Sequence, residues 1–164
     1  MLDYLAIFKR LNEKRIKYIV VGGIAVNLYG IPRMTYDTDL IVDMQDRNLK
    51  AFLTLLKDWG FRPKLPVNIM EFAKSEKRRD WIKNRNMKAF CLINPEWAMS
   101  EIDIVINTPI NYKKASKNIK HIVLQNVSIP TISINDLIKM KKSSNRQQDK
   151  TDIRYLKRLK DEKR

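Results

Sequence analysis

The most constraining feature of the sequence is an apolar run that ends in two glycines and is followed by polar residues at alternate positions. Ile19–Val21 precedes Gly22 and Gly23, and Asp37 and Asp39 open the next apolar run. Because side chains alternate along a strand, both carboxylates project from one face and lie close together. Such a pair suits Mg²⁺, which binds one or two carboxylates and fills its other positions with water and phosphate oxygens.

The glycine pair predicts a place where a phosphate approaches the backbone. Gly22 and Gly23 carry no side chains, and a helix over Ile24–Tyr29 would point its first amides at the anion. Gly30 and Pro32 predict the end of that helix. The pair is not a Walker A motif, because no Gly-Lys-Ser/Thr follows it.

A third carboxylate lies within a later apolar run. Asp103 is embedded in Ile102–Ile106, where an unpaired buried charge costs on the order of several kcal/mol. One interpretation places Asp103 at a solvent-exposed strand edge. The other turns it towards Asp37 and Asp39 on a neighbouring strand, where it shares their metal ion.

The periodicity predicts an α/β (α+β) fold, a mixed sheet flanked by helices with a helical C-terminal segment. We expect a single domain over 1–164, with a sheet core over about 1–130 and helices over 131–160. The predicted strands are 16–21, 38–43, 87–93 and 101–107, with one or two short strands over 121–129. The predicted helices are 2–14, 24–29, 48–59 and 112–117, a helix capped by Ser133, and a final helix.

Residues 61–86 are harder to interpret. Pro63, Pro66 and the basic residues that follow predict a loop and a short helix that could cover the site. Trp81 and Trp97 could stack on a base, but tryptophans more often pack in a core or lid.

The charge of +15, from 33 basic and 18 acidic residues, favours a polyanionic partner, with nucleic acid as the first candidate. The alternative is that lysine simply solvates the surface. Two basic stretches stand out: Lys77, Arg78, Arg79, Lys83, Arg85, Lys88, and Lys139, Lys141, Lys142, Arg146, Lys150, Arg154, Lys157, Arg158.

The sequence also bears on the compartment. A lone Cys91 cannot form an internal disulfide, and no apolar run reaches the ~20 residues that a membrane span needs. The N-terminus lacks the pattern of a secretory signal. We therefore expect a cytoplasmic protein with no membrane partner, in which Cys91 is a buried thiol and His121 ligates no metal.

These residues together resemble the DNA polymerase β nucleotidyltransferase superfamily. The resemblance rests on Gly22-Gly23, Arg33-x-Thr35-x-Asp37-x-Asp39 and the later Asp103. The C-terminal segment is similar to the AbiEii-type nucleotidyltransferase toxin branch, through Asp136-Leu137-Ile138-x-Met140-Lys141, Arg146, Asp149, Asp152-Ile153 and Leu156.

The resemblance implies a site in which Asp37 and Asp39 bind Mg²⁺, or alternatively Mn²⁺, on a nucleoside triphosphate. Asp103 would complete a second metal site or take the proton from the acceptor hydroxyl. Gly22 and Gly23 would cradle the β- and γ-phosphates, and Thr35 belongs to the same nucleotide-binding set.

The roles of the cationic and C-terminal residues remain open. Arg33 and Lys141 would neutralise phosphates or make structural salt bridges. By the resemblance, Arg146, Asp149 and Asp152 lie on the rim of the site. By helix periodicity, the two aspartates equally pair with Arg146 and neighbouring lysines.

The resemblance implies transfer of a nucleoside monophosphate to an acceptor hydroxyl. Basicity favours RNA, such as a tRNA end, and a cognate antitoxin is then an expected partner. Alternative acceptors are a small antibiotic and a protein hydroxyl. A different class of function is a catalytically idle nucleic-acid-binding module.

Overall fold

The computed structural model describes residues 4–97 and 100–164 of the chain. Within these residues seven strands form one sheet: β1 (Tyr18–Val21), β2 (Asp37–Val42), β3 (Arg62–Pro63), β4 (Ala89–Ile93), β5 (Glu101–Val105), β6 (Lys120–Leu124) and β7 (Val127–Thr131). Their order is β3-β4-β5-β2-β1-β7-β6.

The α-helices of the described chain are α1 (Tyr4–Glu13), α2 (Gly22–Leu28), α3 (Asp46–Asp58), α4 (Ser75–Arg85), α5 (Tyr112–Ala115), α6 (Ile134–Ser144) and α7 (Gln147–Glu162). Short 3₁₀ turns cover Ile69–Ala73 and Ser116–Asn118. No helix in these residues is both long and apolar enough to cross a membrane. The predicted mixed sheet with flanking helices and a helical C-terminal segment is confirmed.

The register of the sheet brings the predicted site strands together. β2 runs antiparallel to β1 and parallel to β5. Asp39 lies opposite Val21 on one side and opposite Asp103 on the other. Since paired residues share a face, β2 and β5 present their aspartates on the same side of the sheet.

The opposite face of the sheet is covered by apolar side chains of α1, the 3₁₀ turn Ile69–Ala73 and α4. Phe8 stacks on Tyr18 with ring centroids 5.9 Å apart. Phe72 and Trp81 stack on Phe90 at 4.4 and 5.6 Å. Phe90 alternates with Cys91, which pairs with Asp103, so α4 lies across the sheet from the carboxylates.

This placement corrects the expectation that the helix within 61–86 covers the site. Trp81 is 4% exposed, and its burial against Phe90 fixes α4 on the far face. Only the turn after β3 comes near the site, where Lys64 forms an ion pair with Glu101 at 2.6 Å. Trp81 is therefore a core residue, and Trp97 packs edge-on against Trp59 at 5.3 Å.

Local sequence signals set the ends of α2 and α6. α2 begins at Gly22, two residues before the predicted start, and the helix stops before Gly30 as expected. Ser133 caps α6 by accepting a hydrogen bond from the Asp136 amide at 3.2 Å, which confirms the predicted cap. The remaining predicted strands and helices are found within a few residues of their expected bounds. Residues 1–3 of the first predicted helix, and Ala98 and Met99 between β4 and β5, lie outside the described residues.

Candidate active site

Three carboxylates from two adjacent strands converge at the centre of the sheet. Asp37 and Asp39 lie on β2, and Asp103 lies opposite Asp39 on β5. One oxygen from each of the three lies within 4.8 Å of the other two. Of the two interpretations of Asp103, the structure therefore supports the one in which it faces the other aspartates.

The electrostatics of the cluster favour a bound cation. Burial, followed by repulsion from Asp37 and Asp103, raises the pKa of Asp39 to about 7. Burial also raises the pKa of Asp103, with Glu101 and Asp37 contributing. Asp103 Oδ1 is the buried side-chain polar atom that has no hydrogen-bond partner among the described residues. A divalent cation would bind these oxygen atoms, neutralise their mutual repulsion and give Asp103 Oδ1 a partner. The residues therefore fit Mg²⁺ or Mn²⁺.

The glycine pair makes room for this cluster. Gly22 has φ +63°, and a Cβ at that position would lie 2.0 Å from Asp39 Oδ2. A Cβ on Gly23 would lie 2.6 Å from Thr35 Oγ1 and 3.2 Å from Arg33 Cζ. The start of α2 is thus in direct contact with the residues of the alternating motif, and only glycine fits.

The loop before β2 is held by short polar contacts. Thr35 Oγ1 donates to Asp37 Oδ1 at 3.3 Å. Asn27 Oδ1 accepts a hydrogen bond from the Arg33 backbone amide at 3.0 Å. Sequence analysis missed Asn27, because a single asparagine on a short helix carries no signal until the loop folds back on it.

Arg33 and Lys141 converge on one buried carboxylate. Asp152 Oδ2 accepts hydrogen bonds from Arg33 Nη1 at 2.5 Å and Lys141 Nζ at 2.7 Å. Lys141 and Asp152 have side chains 5% and 2% exposed. Gln148 donates to the other oxygen of Asp152 at 3.1 Å. Both cations make structural salt bridges here, which was one of the two alternatives that the sequence left open.

Asp149 closes the same network at the start of α7. It accepts from Ser144 Oγ at 2.5 Å, from the Arg146 backbone amide at 3.0 Å and from Lys141 Nζ at 3.3 Å. Burial opposes ionisation of Asp149, but the hydrogen bonds from Ser144 and Arg146 bring its pKa below the ordinary value. Asp149 and Asp152 are therefore buried partners of cations, whereas Arg146 is exposed. Of the two alternatives for Asp149 and Asp152, the structure supports pairing with cations, because a packed helix pair surrounds them.

This network lies close to the carboxylate cluster. The positive charges of Arg146 and Lys141 both act on Asp39, where they oppose the rise in its pKa. The site therefore combines three crowded carboxylates with cations on α6 and α7. Such an arrangement can hold a cation beside a polyphosphate.

Cys91 borders the cluster on β4. Its thiol donates to the Asp103 carboxylate, and burial together with this bond raises the pKa of Cys91 to about 12. The thiol is half-buried, in place of the full burial we expected. This contact cannot be recognised in the sequence, because it depends on the β4–β5 register.

The fold resembles those of known nucleotidyltransferases. The lincosamide antibiotic adenylyltransferase LnuA, in its lincomycin-bound crystal structure, superposes with a TM-score of 0.64 and 17% identity over 95% of each chain. An antigenic nucleotidyltransferase-like protein from Paracoccidioides brasiliensis gives a TM-score of 0.56 and 18% identity, over 93% of this chain and 72% of that one. At these identities the likeness concerns the fold.

The sequence itself identifies the family. No curated protein matches it. Residues 4–160 match the family described as nucleotidyltransferase of unknown function (DUF6036). That description does not mention the AbiEii-type branch, so the finer assignment stays a prediction. The match spans nearly the whole chain, and the protein therefore belongs to this nucleotidyltransferase family.

Proposed function

We propose that the protein transfers a nucleoside monophosphate from a nucleoside triphosphate to an acceptor hydroxyl at the cluster of Asp37, Asp39 and Asp103. The observation that carries the proposal is the convergence of these three carboxylates, with their oxygens within 4.8 Å of one another. Three such groups repel one another strongly unless a cation is shared between them. Nucleotidyl transfer uses such a cation.

Each proposed residue has a distinct role. Asp37 and Asp39 would hold the cation, and Asp103 would either complete a second cation site or receive the proton of the acceptor hydroxyl. The backbone at Gly22 and Gly23 admits the β- and γ-phosphates, with Thr35 orienting Asp37. When bound, the cation supplies charge neutralisation and alignment of the phosphates.

The proposed reaction is an in-line displacement. The acceptor oxygen forms a bond to the α-phosphorus as the bond between that phosphorus and the β-phosphate oxygen breaks. Pyrophosphate leaves with the bonding electron pair. The hydroxyl proton passes to the Asp103 carboxylate or, if Asp103 holds a second cation, to water.

Arg33 and Lys141 stabilise the triphosphate by their positive charge, and the fixed positions of these side chains add to the effect. Asp152 fixes both groups in place, so their positive ends are already ordered before nucleotide binds. Such preorganisation lowers the cost of neutralising phosphate. Arg146 is exposed and close enough to act on Asp39, and we assign it to the rim of the nucleotide site.

RNA is the acceptor class that we favour. The chain carries a net charge of +15, which attracts a polyanion far more than it attracts a neutral or cationic small molecule. A tRNA end offers the free hydroxyl that the reaction needs. If the AbiEii-like resemblance extends to physiology, the protein acts as a toxin in the cytoplasm and has an antitoxin partner.

A small hydroxylated molecule is the second candidate acceptor. It is favoured by the fold likeness to LnuA, an antibiotic adenylyltransferase that was crystallised with lincomycin. A cationic drug would prefer a less basic surface, so this candidate ranks below RNA.

The experiment incubates the protein with each α-³²P-labelled nucleoside triphosphate, Mg²⁺ and, in turn, total tRNA, lincomycin and the protein alone. Label on tRNA that Asp39→Asn loses supports the proposal and names the nucleotide. Label on lincomycin supports the second acceptor. Equal labelling by the wild type and Asp39→Asn contradicts the proposed site. Growth arrest on expression of the wild type, but not of Asp39→Asn, tests the toxin role.

A further inference from the structure

An open basic cleft lies at the far end of the helices that bear the site. Its volume is about 600 Å³, and its walls come from the end of α2, the start of α6, the end of α7 and strand β6. Lys120, His121, Lys160 and Lys163 line it, and none of the lining residues that the structure describes is Asp or Glu. Three lysines thus face one concave surface whose described lining holds no carboxylate to neutralise them.

The cleft also contains an anchored aromatic ring. The Tyr29 hydroxyl donates to the Ile132 carbonyl at 2.6 Å, which fixes the side chain at the end of α2. Lys163 Nζ lies 6.0 Å from the centroid of this ring. Basic groups interleaved with an aromatic side chain are typical of surfaces that bind single-stranded nucleic acid.

Two helices connect the cleft to the carboxylate cluster. α2 starts at Gly22 against Asp39 and ends beside the cleft at Tyr29. α7 contributes Asp152 to the site network and Lys160 to the cleft. Eight residues of helix separate these two positions, a distance of about 12 Å.

We propose that this cleft binds the phosphate backbone of an RNA acceptor whose reactive end lies at the carboxylate cluster. The inference rests on the proposed function, and it assigns the acceptor's binding surface to Lys120, Lys160 and Lys163. A chain held here reaches the cluster by running along α2 and α7. The contacts are to phosphate, so the cleft sets affinity and orientation without reading sequence.

The basic stretch on α4 does not offer the same surface. It lies across the sheet from the carboxylates, as the packing of Trp81 on Phe90 shows. Its positive charge is also interrupted by Glu76 and Asp80, and Lys77 faces Glu71 at 3.7 Å. This stretch therefore supplies a matched control of equal charge on the wrong face.

The test measures binding of a fluorescein-labelled single-stranded RNA by anisotropy over a series of salt concentrations. The cleft variant carries Lys120→Gln, Lys160→Gln and Lys163→Gln, and the control carries Lys77→Gln, Lys83→Gln and Lys88→Gln. Glutamine keeps much of the aliphatic stem, so packing is largely preserved. Each phosphate contact on a single strand contributes about 0.7 to the slope of log binding constant against log salt concentration. The magnitude of this slope should therefore be smaller by about 2 in the cleft variant.

We expect the cleft variant to lose roughly tenfold or more in affinity at 0.15 M salt, while the control stays within a few-fold of the wild type. Equal losses in both variants would overturn the proposal in favour of bulk charge, and so would an unchanged cleft variant or a wild type that binds no RNA. A double variant of the exposed Lys120 and Lys163 repeats the test if the triple variant unfolds. Asp39→Asn serves as the reference, because it should bind RNA without transferring a nucleotide. RNA affinity of this variant therefore tests the cleft separately from catalysis.

Discussion

The buried carboxylate of Asp152 gives the most quantitative prediction. Asp152 is 2% exposed and accepts from Arg33 at 2.5 Å and from Lys141 at 2.7 Å. In Asp152→Asn the shape is kept and the charge is lost. Lys141 then retains Asp149 at 3.3 Å as its carboxylate partner among the described residues.

Removing one partner of a buried ion pair costs about 3–5 kcal/mol, because an uncompensated charge stays buried. Since Asp149 remains, we expect the lower end, about 3 kcal/mol of unfolding free energy. For a chain of 164 residues this corresponds to a fall in Tm of about 6–12 °C. Urea denaturation followed by circular dichroism measures the free energy directly.

A double-mutant cycle with Lys141→Met separates the ion pair from other effects. If the pair is real, Asp152→Asn costs about 1–3 kcal/mol less once Lys141 has been removed. The control Asp161→Asn lies on the same helix at an exposed position and should stay within about 0.5 kcal/mol of the wild type. A cost for Asp152→Asn below about 1 kcal/mol, or additive effects in the cycle, would refute the buried network.

Three further predictions concern the carboxylate cluster. Burial raises the pKa of Asp39 from 3.8 to about 7, so in the metal-free protein its ionisation lowers stability as pH rises from about 4 to 7, by up to about 4 kcal/mol. Thermal melts of Asp39→Asn should therefore show a higher Tm than the wild type at pH 8 and the same Tm near pH 3. Equal Tm values at both pH values would mean that the pKa of Asp39 is not raised. Mg²⁺ with a non-hydrolysable triphosphate at about 100 times its Kd should stabilise the wild type by about 2.7 kcal/mol but not Asp39→Asn, and equal shifts would place the ligand elsewhere. Gly22→Ala should destabilise the fold more than Gly30→Ala in urea melts. Both positions have positive φ, but of the two new methyl groups only the one at position 22 meets Asp39. Equal losses of unfolding free energy would mean that backbone strain alone matters.

The sequence predicted those parts of the fold that depend on local pattern. The glycine pair, the alternation of Asp37 and Asp39 and the Ser133 cap follow from rules that act over a few residues. The approach of Asp103 to the other aspartates was one of two alternatives, and the cost of burying a lone charge is the reason that the sequence offered it.

What the sequence could not provide depends on how distant elements pack. The hydrogen bond from the Arg33 amide to Asn27 and the thiol contact between Cys91 and Asp103 appear only once the loop and the strand register are fixed. The position of α4 is set by Trp81 and Phe90, which its evenly distributed charges do not reveal. Asp149 and Asp152 could be on a rim or inside, and the packing of α6 on α7 decides that they are inside.

The central claim is that Asp37 and Asp39 on β2 hold a cation beside Asp103 on β5. Mn²⁺ binding, measured by electron paramagnetic resonance in the presence of a non-hydrolysable triphosphate, tests this claim without any assumption about the acceptor. The account predicts that Asp37→Asn and Asp39→Asn each weaken Mn²⁺ binding by about tenfold or more, since even the outer-shell partners of metal ligands contribute that much. A similar loss in Asp103→Asn would assign Asp103 to a second cation site, and wild-type affinity in that variant would assign it to the proton of the acceptor hydroxyl. Unchanged Mn²⁺ affinity in both Asp37→Asn and Asp39→Asn would contradict the account.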